Sequence, residues 1–177
     1  VLGPGAAATS PFKGANFWQD WEKPATIEYF DKNKNLVVRF DADIKIYGNY
    51  SRSKAQKSWE IKLSDRYGTG SFDYSMYPDK QYVNRVDNIV LRNSGTDWNK
   101  VHFRDAMRER SMKNTYTGYL AAEPAVAYVN GSYWGVYCIN ENHDHHWMKN
   151  NFGLGTSEID YLKESGRSPV REFIDSL

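Results

Sequence analysis

The sequence predicts an α+β fold, mainly an antiparallel sheet with packed helices, because strand patterns dominate its first half and helical patterns come later. Two apolar segments, residues 25–30 and 36–40, flank a polar turn and predict a first hairpin. Asn130-Gly131 predicts a second hairpin over residues 125–139, since this dipeptide favours the left-handed dihedrals of a type I′ turn.

Further strands are predicted over residues 43–47, 57–63 and 88–92. The segment 65–85 is polar and rich in tyrosine, with few periodic signals, and we interpret it as an ordered surface loop. A sheet of these strands would be built mostly from neighbouring segments of the chain.

The turn at residues 93–97 predicts a helix over about 100–114. Its buried side would be supplied by five apolar residues, Val101, Phe103, Ala106, Met107 and Met112. The pattern becomes helical again from Asn142, with Asn142 or Asp144 as the cap and Gly153 as the stop.

Two shorter helices are predicted near the end of the sequence. The first covers residues 157–163, and the second runs over 170–177 with Pro169 at its start. The length of 177 residues indicates one domain, which we place at 17–177 after a small-residue leader or linker at 1–16.

Composition excludes several classes of partner. The chain has 23 basic and 22 acidic side chains, so no global field would attract nucleic acid or an anionic membrane. No apolar run approaches the roughly 20 residues of a membrane-spanning helix. Cys138 is the single cysteine, so an internal disulfide is excluded. A single cysteine does not determine the cellular compartment.

Aromatic residues are abundant, with 13 Tyr, 8 Phe and 6 Trp. They could form an exposed platform for sugars or a protein partner, but we expect most of these rings to be core. A hydrolase is not indicated, because the sequence has no G-x-S-x-G elbow and Cys138 lies in an apolar strand.

A basic, glycine-containing loop is the first candidate site. Gly48, Ser51 and Arg52 lie in a tight turn that Lys57 follows at the start of the next strand. Backbone amides and two cations in such a turn can bind phosphate by charge-assisted hydrogen bonds. The alternative, which spacing alone favours, is a hairpin whose basic side chains are merely solvated.

Two other motifs have a functional and a structural interpretation. Residues 92–97 precede a helix, so Arg92 and the turn amides could meet an anion, although a plain turn with a helix cap explains them as well. The run His143-Asp144-His145-His146 contains metal-ligand residue types, but adjacent helical residues point apart. We therefore predict no metal site there and expect a helix N-terminus instead.

With these residues in view, the chain resembles the spore coat protein H (CotH) kinase-like family. The resemblance covers about residues 17–162. It rests on five stretches that occur in family order: residues 44–52, 56–58, 91–95, 103–107 and 129–137.

The resemblance implies the N-terminal part of an atypical protein-kinase-like fold, ATP with Mg²⁺ as cofactors, and phosphoryl transfer to proteins outside the cytoplasm, in a secreted or cell-surface setting. Lys57 resembles the strand lysine that meets the nucleotide phosphates. Ser51 and Arg52 would lie in the loop over them, and Glu141, near the connection to the second half of the domain, would be the fourth cofactor-binding residue.

Two departures from the family pattern shape the expectation. Asn140 and Asn142 flank Glu141 where the family tends to place arginines, and neither an H-R-D loop nor a D-F-G triplet is present. We therefore expect a fragment or degenerate member that is inactive alone, its catalytic residues unknown, with phosphoryl transfer only in a longer parent. The alternative is a noncatalytic extracellular surface or adhesion module that binds protein or glycan.

Overall fold

The computed structural model describes residues 3–68 and 70–158. The chain divides into two compact units. The first spans Val1–Asn142 and the second begins at His143.

The first unit is built on a curled sheet of six antiparallel strands in the order β1-β2-β3-β6-β8-β7, with a separate two-stranded sheet of β4 and β5. The strands are β1 Lys23–Phe30, β2 Leu36–Tyr47, β3 Ser58–Lys62, β4 Phe72–Asp73, β5 Arg85–Val86, β6 Asn88–Arg92, β7 Ala122–Val129 and β8 Ser132–Asn140. The α-helices are α1 Arg104–Ser111 and α2 His145–Phe152. Short 3-10 turns cover Asn16–Trp18, Tyr50–Ser53, Asp65–Tyr67, Pro78–Lys80, Gly95–Asp97 and Thr156–Glu158. The α+β fold class predicted from the sequence is confirmed.

The predicted strands are present, except that the second and third predicted strands are parts of one longer strand. Residues 36–40 and 43–47 form the single strand β2, which pairs with β1 on one side and β3 on the other. Asp41 and Asp43 interrupt the apolar pattern because they lie on the polar face of the sheet, away from Phe40 and Ala42. A long central strand therefore looks like two short ones in the sequence.

The hairpin of β7 and β8 is confirmed. Asn130 and Gly131 have φ values of 50° and 78°, the left-handed dihedrals that a type I′ turn requires. The strands pair from Ala122 opposite Asn140 to Val129 opposite Ser132. The hairpin ends at Asn140, and Glu141 and Asn142 follow it as the last two residues of the first unit.

The hydrophobic core lies on one face of the sheet. Phe40, Ile61, Ile89 and Ile139 project from four neighbouring strands into this core. The connection at 64–86 covers them with Met76, Tyr77 and Val86, all buried. The prediction of a surface loop here was wrong in part: the connection is ordered, but tertiary contacts bury side chains that have no local periodicity.

Helix α1 is shorter than predicted, Arg104–Ser111 instead of 100–114. Its predicted buried side is also wrong, because Val101, Phe103 and Met107 are 40%, 52% and 61% exposed. The helix is held largely by ion pairs, with Arg110 bonded to Asp79 at 2.7 Å. Polar contacts thus replace the apolar stripe that the sequence indicated.

In the second unit, α2 begins and ends as predicted. The Asp144 carboxylate accepts a hydrogen bond from the Trp147 amide at 3.0 Å, and Gly153 ends the helix with φ 71°. A 3-10 turn covers Thr156–Glu158, where the predicted helix at 157–163 would begin. The rest of that helix, and the one at 170–177, lie outside the described residues.

No helix among the described residues has both the length and the apolar character needed to cross a membrane.

Candidate functional site

The loop between β2 and β3, residues 48–57, is shaped by Gly48. Its φ is 96°, and a Cβ at this position would collide with the Ser51 hydroxyl. The loop then makes a 3-10 turn in which the Arg52 amide donates to the Asn49 carbonyl at 2.9 Å. Glycine is therefore required where the chain turns, and Ser51 is held against it.

Arg52 ties this loop to the N-terminal segment. Its Nε donates to the Gly48 carbonyl at 2.6 Å, and its Nη1 lies 3.5 Å and 3.4 Å from the carbonyls of Phe17 and Gln19. Nη2 is 3.7 Å from an Asp20 carboxylate oxygen. Its side chain is only 14% exposed.

Lys57 meets the same N-terminal segment. Its ammonium group donates to the Lys54 carbonyl and lies 4.1 Å from the centroid of the Phe17 ring. Burial lowers the pKa of Lys57. Arg52 and Lys57 therefore converge on one residue, Phe17.

Asn93 joins the loop to the turn that follows β6. It is fully buried; its Oδ1 accepts from the Ser58 hydroxyl at 2.8 Å and from the Gly95 amide at 2.9 Å, while its Nδ2 donates to the Gln56 carbonyl. We call residues 48–57 and 92–97 together the loop end of the sheet. Sequence reasoning missed this role of Asn93; its only local signal is an Asn between a strand and a glycine turn.

The polar face of β2 and β3 carries two further lysines, Lys45 near this end and Lys62 at the other end of β3. Lys45 pairs with Glu60 at 3.3 Å and lies 3.8 Å from Asp20. Lys62 pairs with Glu22, and that hydrogen bond raises the pKa of Lys62. Acidic residues just before β1 therefore lie over the cations of this face.

Glu141 is placed elsewhere. Its carboxylate is 2.7 Å from the Lys80 ammonium group and accepts from the Ala121 amide at 2.7 Å. The Lys80 side chain is 2% exposed and also donates to the Tyr119 carbonyl at 2.6 Å. The structure brings Ser51, Arg52 and Lys57 together but puts Glu141 in a separate buried ion pair. Sequence reasoning missed Lys80, because a single lysine in a tyrosine-rich loop gives no sign of burial.

Clusters of potential metal ligands were sought among the described residues. Among residues 3–68 and 70–158, no group of three or more His, Cys, Asp or Glu could hold an ion. The predicted N-terminus of a helix is found at the histidine run, where Asp144 caps α2.

Most described aromatic residues are buried or partly buried, but several are exposed. Tyr77 and Tyr137 are buried, but Tyr128 and Tyr133 are 65% and 62% exposed and stack edge to face at 5.9 Å. Trp134, on the same hairpin, is 47% exposed. The reason is that β7 is an edge strand, and the described part of β8 before Cys138 has no pairing to β6.

Comparison with known proteins gives one family. The sequence model of the CotH kinase protein family matches residues 44–169, well over half of the chain, and this range includes the loop end, Lys80 and Glu141. No curated protein matches the chain. The chain belongs to the CotH kinase protein family.

Proposed function

We propose that this domain binds the phosphates of a nucleotide at the loop end of the sheet, with Arg52 and Lys57 as the cations and Ser51 in the loop over them. The observation that carries the proposal is the convergence of Arg52 and Lys57 on Phe17 beside a glycine turn. The kinase-like family suggests nucleotide and metal use and so supports ATP with Mg²⁺ as the ligand.

The contacts of Arg52 are suited to an exchange of partners. The bond from Nε to the Gly48 carbonyl is short and fixes the side chain, whereas the two Nη1 contacts are 3.4 Å and 3.5 Å long and therefore weak. A phosphate oxygen would offer Nη1 a stronger, charge-assisted hydrogen bond. ATP binding would then displace the Phe17 and Gln19 carbonyls without releasing the loop.

Phosphoryl transfer needs more than this site. It depends on positioned metal ions and on a group that orients the nucleophile, and the described residues offer no metal cluster. Transfer to a protein outside the cytoplasm, by a longer parent that supplies the metal ligands, belongs to the same proposal. In such a parent, Glu141 and its partner Lys80 would brace the connection to the second half of the domain.

A second candidate function rests on the exposed aromatic hairpin. Tyr128, Tyr133 and Trp134 could stack against sugar or protein in a noncatalytic surface or adhesion module. This function needs no phosphate, so nucleotide binding separates the two.

Isothermal titration calorimetry of the full chain with ATP and Mg²⁺ tests the proposal. We expect saturable binding, weakened about tenfold in Lys57→Ala because a hydrogen bond to a charged group is lost. Lys32→Ala is the matched control, since Lys32 lies in the exposed turn at the opposite end of β2 and should leave the affinity unchanged. No heat with the wild-type chain would contradict the proposal and favour the adhesion module. Equal affinities of wild type and Lys57→Ala would remove Lys57 from the site.

A further inference from the structure

The N-terminal segment, residues 15–22, lies along the polar face of β2 and β3 and is fixed at both ends. Ala15 is fully buried at its start. At its other end the chain enters β1, whose first residue, Lys23, pairs with Ile44 of β2. Between these points, residues 19–22 are exposed to solvent. The middle of the segment is therefore held more loosely than its ends.

The contacts between the middle of the segment and the cations of the sheet are weak. The carbonyls of Phe17 and Gln19 lie 3.5 Å and 3.4 Å from Arg52 Nη1, at the long limit of hydrogen-bond distances. The Asp20 carboxylate is 75% exposed and lies 3.7 Å from Arg52 and 3.8 Å from Lys45. Water screens such a carboxylate, so these ion pairs contribute little. Lifting the middle of the segment off the sheet thus costs little free energy.

The same contacts occupy the donors that a phosphate group would need. Arg52 Nη1 carries two N–H donors, and the Phe17 and Gln19 carbonyls accept from this nitrogen. The Phe17 ring lies over the Lys57 ammonium group, 4.1 Å from the ring centroid, and burial lowers the pKa of Lys57. The Asp20 carboxylate adds a negative charge beside Arg52. An anion that binds both cations must therefore displace the segment.

We propose that residues 15–22 are an autoinhibitory segment that competes with the nucleotide phosphates for Arg52 and Lys57, and that ATP binding lifts its middle off the sheet. This inference rests on the proposed function, because it concerns regulation of the same site. The family match covers residues 44–169 and assigns no role to this segment. Since the segment is tethered at both ends, its effective concentration at the site is high, and even weak contacts lower the apparent affinity for ATP.

Calorimetry of the full chain with ATP and Mg²⁺ tests the competition. Phe17→Ala should bind ATP about fivefold more tightly than the wild type, because the ring no longer covers Lys57. Asp20→Asn should tighten binding about twofold, since a competing carboxylate is lost. The matched controls are Phe30→Ala and Glu28→Gln, which remove an exposed ring and a carboxylate in the half of β1 far from the loop end. Both should bind ATP as the wild type does.

Hydrogen exchange of the full chain, with and without saturating ATP and Mg²⁺, tests whether the segment moves. The amides of Trp18 and Gln19 donate to the carbonyls of Ala15 and Asn16 in a 3-10 turn, at 2.9 Å and 3.1 Å. These two amides should exchange faster when ATP binds, because the turn is no longer held against the sheet. The amides of residues 48–52 should exchange more slowly, because the ligand covers them.

Thermal unfolding followed by circular dichroism establishes that each variant is folded, and Asp20→Asn with hydrogen exchange carries the test if Phe17→Ala is not. Two outcomes overturn the inference alone. One is ATP affinity in the folded Phe17 and Asp20 variants that equals or falls below that of the wild type. The other is unchanged or slower exchange at Trp18 and Gln19 when ATP binds. If neither the wild type nor these variants bind ATP, the proposed function fails and this inference fails with it.

Discussion

The basic side chains of the first unit differ in how deeply they are buried and in how many partners they already have. Lys80 is 2% exposed and paired with Glu141, Arg52 is 14% exposed and bonded to backbone carbonyls, and Arg92 is 33% exposed with one carboxylate partner. Breaking a buried ion pair leaves an uncompensated charge, so separating Lys80 from Glu141 to bind a ligand would cost considerable free energy. The more exposed cations are the ones free to meet a ligand.

Asn93 is the residue on which the shape of the loop end depends. Asn93→Ala should lower the free energy of unfolding by about 3 kcal/mol, because the Ser58 hydroxyl, the Gln56 carbonyl and the Gly95 amide lose a buried partner. Urea unfolding of the full chain measures the loss. Asn33→Ala, in the exposed turn between β1 and β2, is the control and should change stability by less than about 0.5 kcal/mol. A loss below about 1 kcal/mol for Asn93→Ala would contradict this account.

At the scale of elements, the segment before β1 acts as a cover on the polar face of the sheet. Phe17 contacts Lys57, Asp20 lies near Arg52 and Lys45, and Glu22 pairs with Lys62. These carboxylates and carbonyls occupy positions that phosphate oxygens would compete for. Under the proposed function, nucleotide affinity would therefore depend on how firmly this segment is held.

The strands of the six-stranded sheet could be predicted from the sequence because alternation of apolar and polar residues is a local signal, whereas β4 and β5 could not. The hairpin at Asn130-Gly131 is the clearest case, since two dihedrals fix its turn. The connection at 64–86 could not be predicted, because Met76, Tyr77 and Lys80 are buried by residues distant in sequence. Helix α1 was overextended for a similar reason: ion pairs, and no apolar stripe, hold it.

The loop residues of the candidate site could be predicted from the sequence, but the residues that contact them could not. Ser51, Arg52 and Lys57 lie together because they belong to one short segment. Phe17 and Asp105 come from other parts of the chain. No periodic pattern in the sequence predicts their contacts with Lys57 and Arg92. Glu141 was grouped with the loop residues by resemblance, whereas its carboxylate faces Lys80.

For the whole molecule, burial of tyrosine links stability to alkaline pH. Burial raises the pKa of Tyr77 well above its ordinary value of 10.0, with the Glu141 carboxylate as a further cause. Above pH 10.0 the unfolded chain loses this proton while the folded chain keeps it, so the folded state binds more protons. Stability is therefore fully present below pH 10.0 and is lost as the pH rises further.

Tyr77→Phe tests this linkage, because it removes the hydroxyl and keeps the ring. The wild-type free energy of unfolding should fall by about 1.4 kcal/mol per pH unit more steeply above pH 10 than that of the variant. Urea unfolding at several alkaline pH values gives both slopes. Tyr116→Phe, at a fully exposed tyrosine, is the control and should keep the wild-type slope. Parallel slopes for wild type and Tyr77→Phe would show that Tyr77 is not the linked group.

The most direct measurement of the central claim is an NMR titration of the full chain with ATP and Mg²⁺, observed at backbone amides. We expect saturable shifts at Gly48, Ser51, Arg52 and Gly95, which lie at the loop end of the sheet, and no shifts at Asn130 and Gly131 in the hairpin turn. Shifts confined to the hairpin, or none at saturating ATP, would contradict nucleotide binding at the loop end.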